Sequence, residues 1–244
     1  MNEVAFAPAT PPTGAETYSS AMADAKNYIS WILDSFSTYV STPILEIGVG
    51  HGSYANLLCD RGSYTGIDID PRSVELARER LPQLDFQVVD ITGPEMVLFA
   101  RERRFRTIVC LNVIEHIADD ATAVINLARA LEPGGHLLII VPALQLLYND
   151  LDRLAGHHRR YTRGQIYDLL VAAGLDVVRC DYFNPIGGLG WLGNRILRHG
   201  SLNDDAVNSQ ISLFDKWFVP LSRFADPATR KFFGQSVIAA GRKP

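Results

Sequence analysis

The stretch that decides the fold runs from residue 44 to residue 52 and reads Ile-Leu-Glu-Ile-Gly-Val-Gly-His-Gly. An apolar run typical of a buried strand leads into glycines at positions 48, 50 and 52. Because glycine lacks a Cβ atom, it can adopt positive φ and let the backbone approach a ligand, while the next helix offers free N–H groups. The stretch therefore predicts a strand followed by a turn that binds a nucleoside-containing cofactor.

Two kinds of cofactor fit such a turn. A nicotinamide dinucleotide fingerprint has a third glycine or alanine three residues after its second glycine. That position is Ser53 in this chain, which weakens the dinucleotide interpretation. Asp68 ends the next apolar run, twenty residues after Gly48, and its carboxylate can accept hydrogen bonds from both hydroxyls of a ribose. The pattern favours a cofactor with a single adenosine.

Glu46 and the three glycines resemble the E-x-G-x-G-x-G motif of the class I S-adenosylmethionine-dependent methyltransferases. Four later segments resemble further motifs of this family, in the family's order: residues 64–68, 86–90, 105–116 and 131–138. The resemblance implies that S-adenosylmethionine is the methyl donor and S-adenosylhomocysteine the product. It also implies a set of cofactor contacts: Tyr28, Glu46, Gly48, Gly50, Gly52, Asp68, Asp90 and Asn112.

Strand and helix signals alternate from residue 43 to residue 184, which predicts a parallel sheet covered by helices on both faces. The helices are expected near residues 52–60, 71–80, 119–131 and 163–173. Asp70 precedes Pro71 and is interpreted as a helix cap. The resemblance adds the fold class: an α/β, Rossmann-like, seven-stranded, mostly parallel sheet whose antiparallel last strand lies near residues 236–241.

The domain organisation follows from the same pattern. Residues 1–40 are predicted to form a disordered leader and N-terminal cap helices, and residues 41–244 one methyltransferase domain. Segments 143–162 and 185–235 are not explained by the core fold and are expected to act as lids that select the acceptor. The second contains Gly187-Gly188 and is expected to be a glycine-hinged aromatic lid. Five residues in these segments are the predicted acceptor contacts: Tyr148, Arg159, Arg160, Tyr161 and Trp191.

Methyl transfer is an in-line displacement at a sulfonium carbon, so the enzyme must align its substrates and, for a hydroxyl acceptor, remove a proton. A histidine near the acceptor is expected to do this, with His158 as first choice, His157 second and His116 third. Arg159 and Arg160 have two interpretations. In the first, they bind an anionic acceptor bidentately. In the second, they pair with aspartates 150 or 152 and so stabilise the loop that carries the histidine pair.

Glu115 and His116 resemble a pair that, in some relatives, binds a metal ion or acts as a base. The earlier acidic partner of the metal-binding variant is replaced here by Asn112, so no metal is predicted. Glu115 or His116 is otherwise expected to fix the turn before Asp119.

The composition narrows the function class. A net charge of −4 gives no bulk electrostatic reason to bind nucleic acid, and no apolar run is long enough to cross a bilayer. The start of the chain lacks the pattern of a signal peptide, and three scattered cysteines suit buried thiols. We therefore expect a soluble, cytoplasmic enzyme with a small-molecule acceptor, no nucleic-acid partner and no transmembrane segment. The oligomeric state is left open.

The sequence thus predicts a methyltransferase that acts on a small-molecule or glycosylated metabolite, with oxygen as the favoured acceptor atom. Two alternatives stay open at this point. One is N- or C-methylation of a sugar, an amino-acid-derived or a lipid-linked acceptor. The other is a non-catalytic protein that binds S-adenosylmethionine, although such a protein has no chemical reason to retain the glycines and both terminal aspartates together.

Overall fold

A computed structural model describes residues 25–50, 52–193 and 205–244 of the chain. Seven strands form one sheet in the order β3-β2-β1-β4-β5-β7-β6. The strands are β1 (Ile44–Ile47), β2 (Tyr64–Asp68), β3 (Asp85–Val88), β4 (Phe105–Leu111), β5 (Leu131–Pro142), β6 (Asp176–Phe183) and β7 (Ser236–Arg242). Strand β7 runs antiparallel to β5 and β6, and the other pairs are parallel. The predicted Rossmann-like sheet with an antiparallel last strand is confirmed.

Helices connect most of the strands. They are α1 (Lys26–Ser35), α2 (Ala55–Cys59), α3 (Pro71–Arg80), α4 (Pro94–Glu102), α5 (Asp120–Ala130), α6 (Asp150–Leu154), α7 (Arg163–Ala172), α8 (Pro185–Gly193), α9 (Asp205–Leu213) and α10 (Val219–Thr229). Short 3₁₀ turns occupy Ile114–His116 and Gln145–Leu147, and a π-helical turn, Phe214–Phe218, joins α9 to α10. Helix α4 was not predicted from the sequence.

Side-chain caps explain where several helices begin. Asp70 accepts a backbone hydrogen bond of 3.0 Å in the first turn of α3, so its interpretation as a helix cap is confirmed. Helices α6 and α7 each begin with a capping box, formed by Asn149 with Asp152 and by Thr162 with Gln165. These two boxes set the path of the chain on either side of the histidine pair.

The sheet separates two hydrophobic cores. Along β4, Ile108 and Cys110 face one core, and Val109 and Leu111 face the other. Helices α5 and α7 contribute to the first core, and α1, α2 and α3 to the second. The central strands are buried on both faces. We therefore expect ligands to bind at the edge of the sheet where the parallel strands end.

The structure corrects the prediction of a glycine hinge in the second insertion. Gly187 and Gly188 are buried within α8. A Cβ atom on Gly187 would lie 2.2 Å from the side-chain nitrogen of Asn184 and 2.2 Å from the side-chain oxygen of Gln235. These glycines are required for close packing of α8 against the residues that follow β6 and precede β7 rather than for hinge motion. Residues 194–204 of this insertion lie outside the described residues.

Two further predictions concern the remainder of the chain. The disordered leader falls on residues 1–24, which lie outside the described residues, whereas the predicted cap helix is present as α1. None of the helices in the described ranges combines the length and the apolar character needed to cross a bilayer.

Cys59, Cys110 and Cys180 are all free thiols.

Candidate active site

A cavity of about 790 Å³ opens at the edge of the sheet where β1, β2 and β4 end. The two insertions and helix α1 form its other walls. Six of the eight predicted cofactor contacts line it: Tyr28, Gly48, Gly50, Asp68, Asp90 and Asn112. The alternation of strands and helices thus brings residues that are distant in sequence to one site, as the ends of parallel strands do in open α/β sheets.

The glycine turn is held tightly against the strands. Gly48 has a φ of +72°, and a Cβ atom there would lie 2.5 Å from the side chain of Val113. The backbone N–H of Gly50 donates to Asp68 Oδ2 at 3.1 Å, and that of Asp70 donates to Asp68 Oδ1 at 2.9 Å. Two backbone donors therefore fix the Asp68 carboxylate at the cavity wall, where burial raises its pKa.

Glu46 lies beneath the turn. Its carboxylate is buried and accepts a hydrogen bond of 2.5 Å from the hydroxyl of Tyr64. Burial raises the pKa of Glu46 to about 8. Neither Glu46 nor Gly52 lines the cavity, so the structure does not bring these two predicted contacts to the ligand space. Glu46 instead supports the turn from below.

Asp90 marks the far end of the cavity from the histidines. Its Oδ1 atom accepts hydrogen bonds from the backbone and the hydroxyl of Thr92, at 2.8 and 2.7 Å. Ile69 and Ile91 line the same end, and the side chain of Ile69 is 59% exposed. Sequence reasoning missed Ile69, Ile91 and Thr92, although each follows closely on one of the two strand-terminal aspartates. Ile69 and Ile91 give this end of the cavity an apolar lining beside the Asp90 carboxylate.

Helix α1 closes the cavity on one side through Tyr28. Asp215, in the π-helical turn, accepts hydrogen bonds from the backbone N–H of Tyr28 at 2.8 Å and from the side chain of Asn27 at 3.2 Å. Tyr28, Phe214 and Asp215 all line the cavity. The pairing was missed from sequence, because Tyr28 and Asp215 lie 187 positions apart. Helix α1 and the second insertion therefore form one wall.

Asp152 orients His157. The ring atom Nδ1 of His157 lies 2.8 Å from Asp152 Oδ1, which also accepts a hydrogen bond of 2.8 Å from Arg160 Nε. Trp191 donates to the second oxygen of Asp152 at 3.2 Å. Burial of Asp152 raises its pKa, but the hydrogen bonds from His157 and Arg160 outweigh this and hold the pKa below its usual value. A charged Asp152 favours the tautomer with hydrogen on Nδ1, which leaves Nε2 of His157 as a base at the cavity.

Glu115 faces that nitrogen. Its side chain is fully buried, lines the cavity, and has no hydrogen-bond partner for either oxygen among the described residues. The distance from Glu115 Oε1 to His157 Nε2 is 4.0 Å. Burial raises the pKa of Glu115 to about 7. Glu115 was not among the predicted site residues, although its position just past β4 and the resemblance of the Glu115–His116 pair were signals for it.

The other two predicted histidines also line the cavity. The rings of His116 and His157 meet edge to face, with centroids 4.8 Å apart. Burial and the neighbouring His157 lower the pKa of His116 to about 4, so His116 is neutral at physiological pH. The side chain of His158 is exposed, and its backbone N–H donates to the carbonyl of Glu115 at 2.8 Å. All three histidines stay candidates, and the geometry favours His157.

Glu115, His116 and His157 also offer potential metal ligands. One ligand atom from each lies within 4.8 Å of the others, which is close enough for the three to hold a metal ion. The sequence predicted no metal here, and that stays a prediction.

The predicted acceptor contacts divide into two groups. Arg160 and Trp191 line the cavity, whereas Tyr148, Arg159 and Tyr161 do not. Arg159 pairs with Asp120 at 3.0 Å. The hydroxyl of the buried Tyr161 donates to the same aspartate at 2.7 Å. Because these groups already have protein partners, the structure assigns them to the support of the loop rather than to the acceptor.

Arg160 likewise has protein partners. Besides Asp152, its guanidinium donates to the carbonyl of Ala143 at 3.1 Å and lies over the ring of Trp191. The interpretation in which an arginine holds the loop through an aspartate is thus confirmed for Arg160, while Arg159 uses Asp120 in place of aspartates 150 and 152.

Known proteins that are similar in sequence or fold to this chain include methyltransferases. A family model described as a methyltransferase domain matches residues 15–179. The chain belongs to this methyltransferase family. Membership confirms the class predicted from the sequence, an S-adenosylmethionine-dependent methyltransferase.

Two relatives are both ubiquinone biosynthesis O-methyltransferases. The ubiquinone biosynthesis O-methyltransferase of Alkalilimnicola ehrlichii is 36% identical over 98 residues, which are 39% of this chain and 39% of that protein. The enzyme of the same name from Idiomarina loihiensis is 26% identical over 165 residues, covering 59% of this chain and 67% of the relative. The first match thus spans about two fifths of the relative's length.

A solved structure extends the likeness of fold over most of the chain. The N-methyltransferase NodS of Bradyrhizobium japonicum, crystallised with S-adenosylhomocysteine, superposes with a TM-score of 0.55. The alignment covers 91% of this chain and 88% of that one, at 19% sequence identity. At this identity the likeness concerns the fold alone, and the acceptor must be argued from the site.

Proposed function

We propose that this methyltransferase transfers the methyl group of S-adenosylmethionine to a hydroxyl oxygen of a small-molecule acceptor, with His157 as the general base. The observation that carries the proposal is the Asp152–His157 pair, which opens onto the same cavity as the glycine turn. An oxygen acceptor needs a base, because a neutral hydroxyl is a weak nucleophile. Both first relatives are named O-methyltransferases, which supports the same acceptor atom.

The cofactor's place follows from the two ends of the cavity. The proposed ribose contact is Asp68, whose carboxylate is fixed by Gly50 and Asp70, and the proposed slot for adenine lies between Ile69 and Asp90. Asn112, with a φ of +54°, lies between this slot and the histidines. The methionine end of the cofactor would then point towards His157.

An anionic acceptor has less support. The guanidinium groups of Arg159 and Arg160 are both engaged by protein carboxylates, so neither is left to bind a carboxylate of the acceptor. His157, the proposed base, is in contrast already oriented by Asp152. We therefore expect formation of an ether from a hydroxyl group rather than of an ester from an acid.

Three compounds of one framework test the acceptor atom. 4-Hydroxyacetophenone, 4-aminoacetophenone and 4-acetylbenzoate would each be incubated with the protein and methyl-labelled S-adenosylmethionine. The proposal predicts a labelled methyl ether from the phenol at a rate well above that of the other two products. Exclusive labelling of the amine or of the acid would refute it, and S-adenosylhomocysteine binding by calorimetry shows in parallel that the protein is folded and loaded.

A second observation favours acceptors with an apolar tail, which includes the lipid-linked alternative. Five large apolar side chains are exposed along the π-helical turn and the helices on either side of it, namely Leu213, Trp217, Phe218, Leu221 and Phe224. Leu213 and Phe218 also line the cavity, so this surface reaches its mouth. We propose that it receives the tail of the acceptor. In a series of 4-hydroxyphenyl alkyl ketones, KM should fall as the chain lengthens, and a Trp217→Ser variant should lose that dependence; a KM independent of chain length would refute this part.

A further inference from the structure

Glu115 is a buried carboxyl group without a hydrogen-bond partner in the part of the chain that the structure describes. It is 0% exposed, and neither oxygen has a hydrogen-bond partner among the described residues. Buried polar groups are nearly always paired, and leaving one unpaired costs free energy. Since Glu115 lines the cavity, a ligand is the natural source of the missing hydrogen bonds.

The group opposite Glu115 is a base with a fixed orientation. Asp152 holds Nδ1 of His157, so Nε2 faces Glu115 Oε1 across 4.0 Å. That distance of 4.0 Å is too long for a direct hydrogen bond, but an oxygen atom about 2.8 Å from both groups would bridge them. A bridging group must be able to donate to one side and to accept from the other.

We propose that the acceptor's hydroxyl oxygen lies between Glu115 and His157, so that Glu115 is a second catalytic residue of the site. This rests on the proposed function above and adds the group that selects a hydroxyl. In its protonated form, Glu115 donates to the acceptor oxygen, while the hydroxyl donates to Nε2 of His157. An ether or a carboxylate has no proton to give to Nε2, and an apolar group satisfies neither side.

The reaction balances with these two residues. The acceptor oxygen forms a bond to the methyl carbon, the carbon–sulfur bond breaks, and its electron pair stays on sulfur as S-adenosylhomocysteine. The hydroxyl proton moves to Nε2 of His157, and Asp152 stabilises the imidazolium through Nδ1. Glu115 keeps its own proton and its hydrogen bond to the ether oxygen.

The surroundings of the pair agree with one shared hydroxyl. The charge of Asp152 is already compensated by Arg160, and the neighbouring His116 is neutral. The side chain of His158 is exposed, and the hydrogen bond between His158 and Glu115 joins backbone atoms of the two residues. Among the described residues, no group donates a hydrogen bond to either carboxyl oxygen of Glu115.

Two ligands that differ by one group test the proposal without turnover. 4-Hydroxyacetophenone and 4-methylacetophenone would be titrated into the S-adenosylhomocysteine complex by calorimetry, the second having a methyl group in place of the hydroxyl. The wild-type protein should prefer the phenol by about ten- to a hundredfold. Glu115→Met, which fills the same space without a polar group, should lose most of this preference. Glu115→Gln, which can still donate to the oxygen, should keep it.

The variants also separate the possible failures. Unchanged preference in Glu115→Met would overturn the proposal, because Glu115 would then be only a packing residue. Equal losses in the Gln and Met variants would also overturn it, because the site would then need the charge of Glu115, as a metal ion would. Glu75→Gln, an exposed carboxylate on α3, is the matched control and should change nothing. A protein that binds the phenol selectively but methylates only amines would refute the proposed function and leave this binding result standing.

Discussion

Asp215 accepts a hydrogen bond of 2.8 Å from the backbone N–H of Tyr28, although 187 residues separate the two. The carboxylate takes the place of the side-chain cap that α1 lacks at its own N-terminus. Asp215 therefore stabilises the start of α1 and also holds Tyr28 at the cavity. The wall of the site thus depends on a contact between α1 and the π-helical turn, which are far apart in the sequence.

Replacing Asp215 with Ala should lower both stability and cofactor affinity. Loss of a helix cap costs about 1 to 2 kcal/mol of unfolding free energy, and Tyr28 would no longer be fixed. Urea unfolding and calorimetry with S-adenosylhomocysteine measure the two effects. The control is Asp34→Ala, which removes an exposed ion pair between α1 and Arg223 of α10 and should cost less than about 0.5 kcal/mol. Equal effects of the two variants would show that the cap has no special role.

Asp68 and Asp70 give a second matched pair. Asp68→Ala should weaken S-adenosylhomocysteine binding by about ten- to a hundredfold, because the ribose hydroxyls would lose their acceptor. Asp70→Ala removes the cap of α3 and should cost about 1 kcal/mol of stability with little change in affinity. Calorimetry and thermal unfolding of both variants would separate the roles, and unchanged affinity in Asp68→Ala would remove this residue from the site.

The buried Glu115 should make stability depend on pH. Its pKa rises from 4.5 to about 7 on folding, so the unfolded chain loses this proton at lower pH than the folded chain does. Stability is then full below about pH 4.5, falls as the pH rises towards 7, and levels off above it. Glu115→Gln removes this loss and should be more stable than wild type by roughly 1 to 3 kcal/mol near pH 8, with little difference near pH 4.5. Urea unfolding at the two pH values checks this, and parallel curves for the two proteins would contradict it.

Two glycines of α8 should respond oppositely to alanine. A Cβ atom on Gly187 would collide with Asn184 and Gln235, so Gly187→Ala should cost about 1 to 3 kcal/mol. An added Cβ atom on Gly190 would have no described residue within 4 Å, and Gly190→Ala should stabilise the helix by up to about 1 kcal/mol. Thermal unfolding of the two variants decides between a packing role and a hinge, because a hinge glycine would tolerate the added methyl group.

The sequence predicted those parts of the fold and site that follow from local pattern. Apolar runs that end in Gly48, Asp68 and Asp90 locate the ends of parallel strands, and such ends meet at one edge of a sheet. The cap role of Asp70 is also local, because the carboxylate and the N–H group it binds are two residues apart. For these residues, spacing along the chain was sufficient.

Side-chain direction was much harder to predict. Tyr161 and Arg159 lie in the same polar loop as His157, and nothing in their spacing shows that both turn away from the cavity towards Asp120. Glu46 belongs to the glycine motif, yet the alternation of side chains along β1 places it beneath the turn against Tyr64. The Tyr28–Asp215 contact has no local signal at all, because it forms only when the two ends of the chain pack together.

The central claim is that an oriented His157 removes the proton of a hydroxyl acceptor. The most direct measurement is the turnover of 4-hydroxyacetophenone with labelled S-adenosylmethionine in His157→Ala and His158→Ala, each checked for S-adenosylhomocysteine affinity. If His157 is the base, turnover falls by about 10² to 10⁴ in His157→Ala alone, with cofactor affinity nearly intact in both variants. Near wild-type turnover in His157→Ala, or a comparable loss confined to His158→Ala, would contradict it.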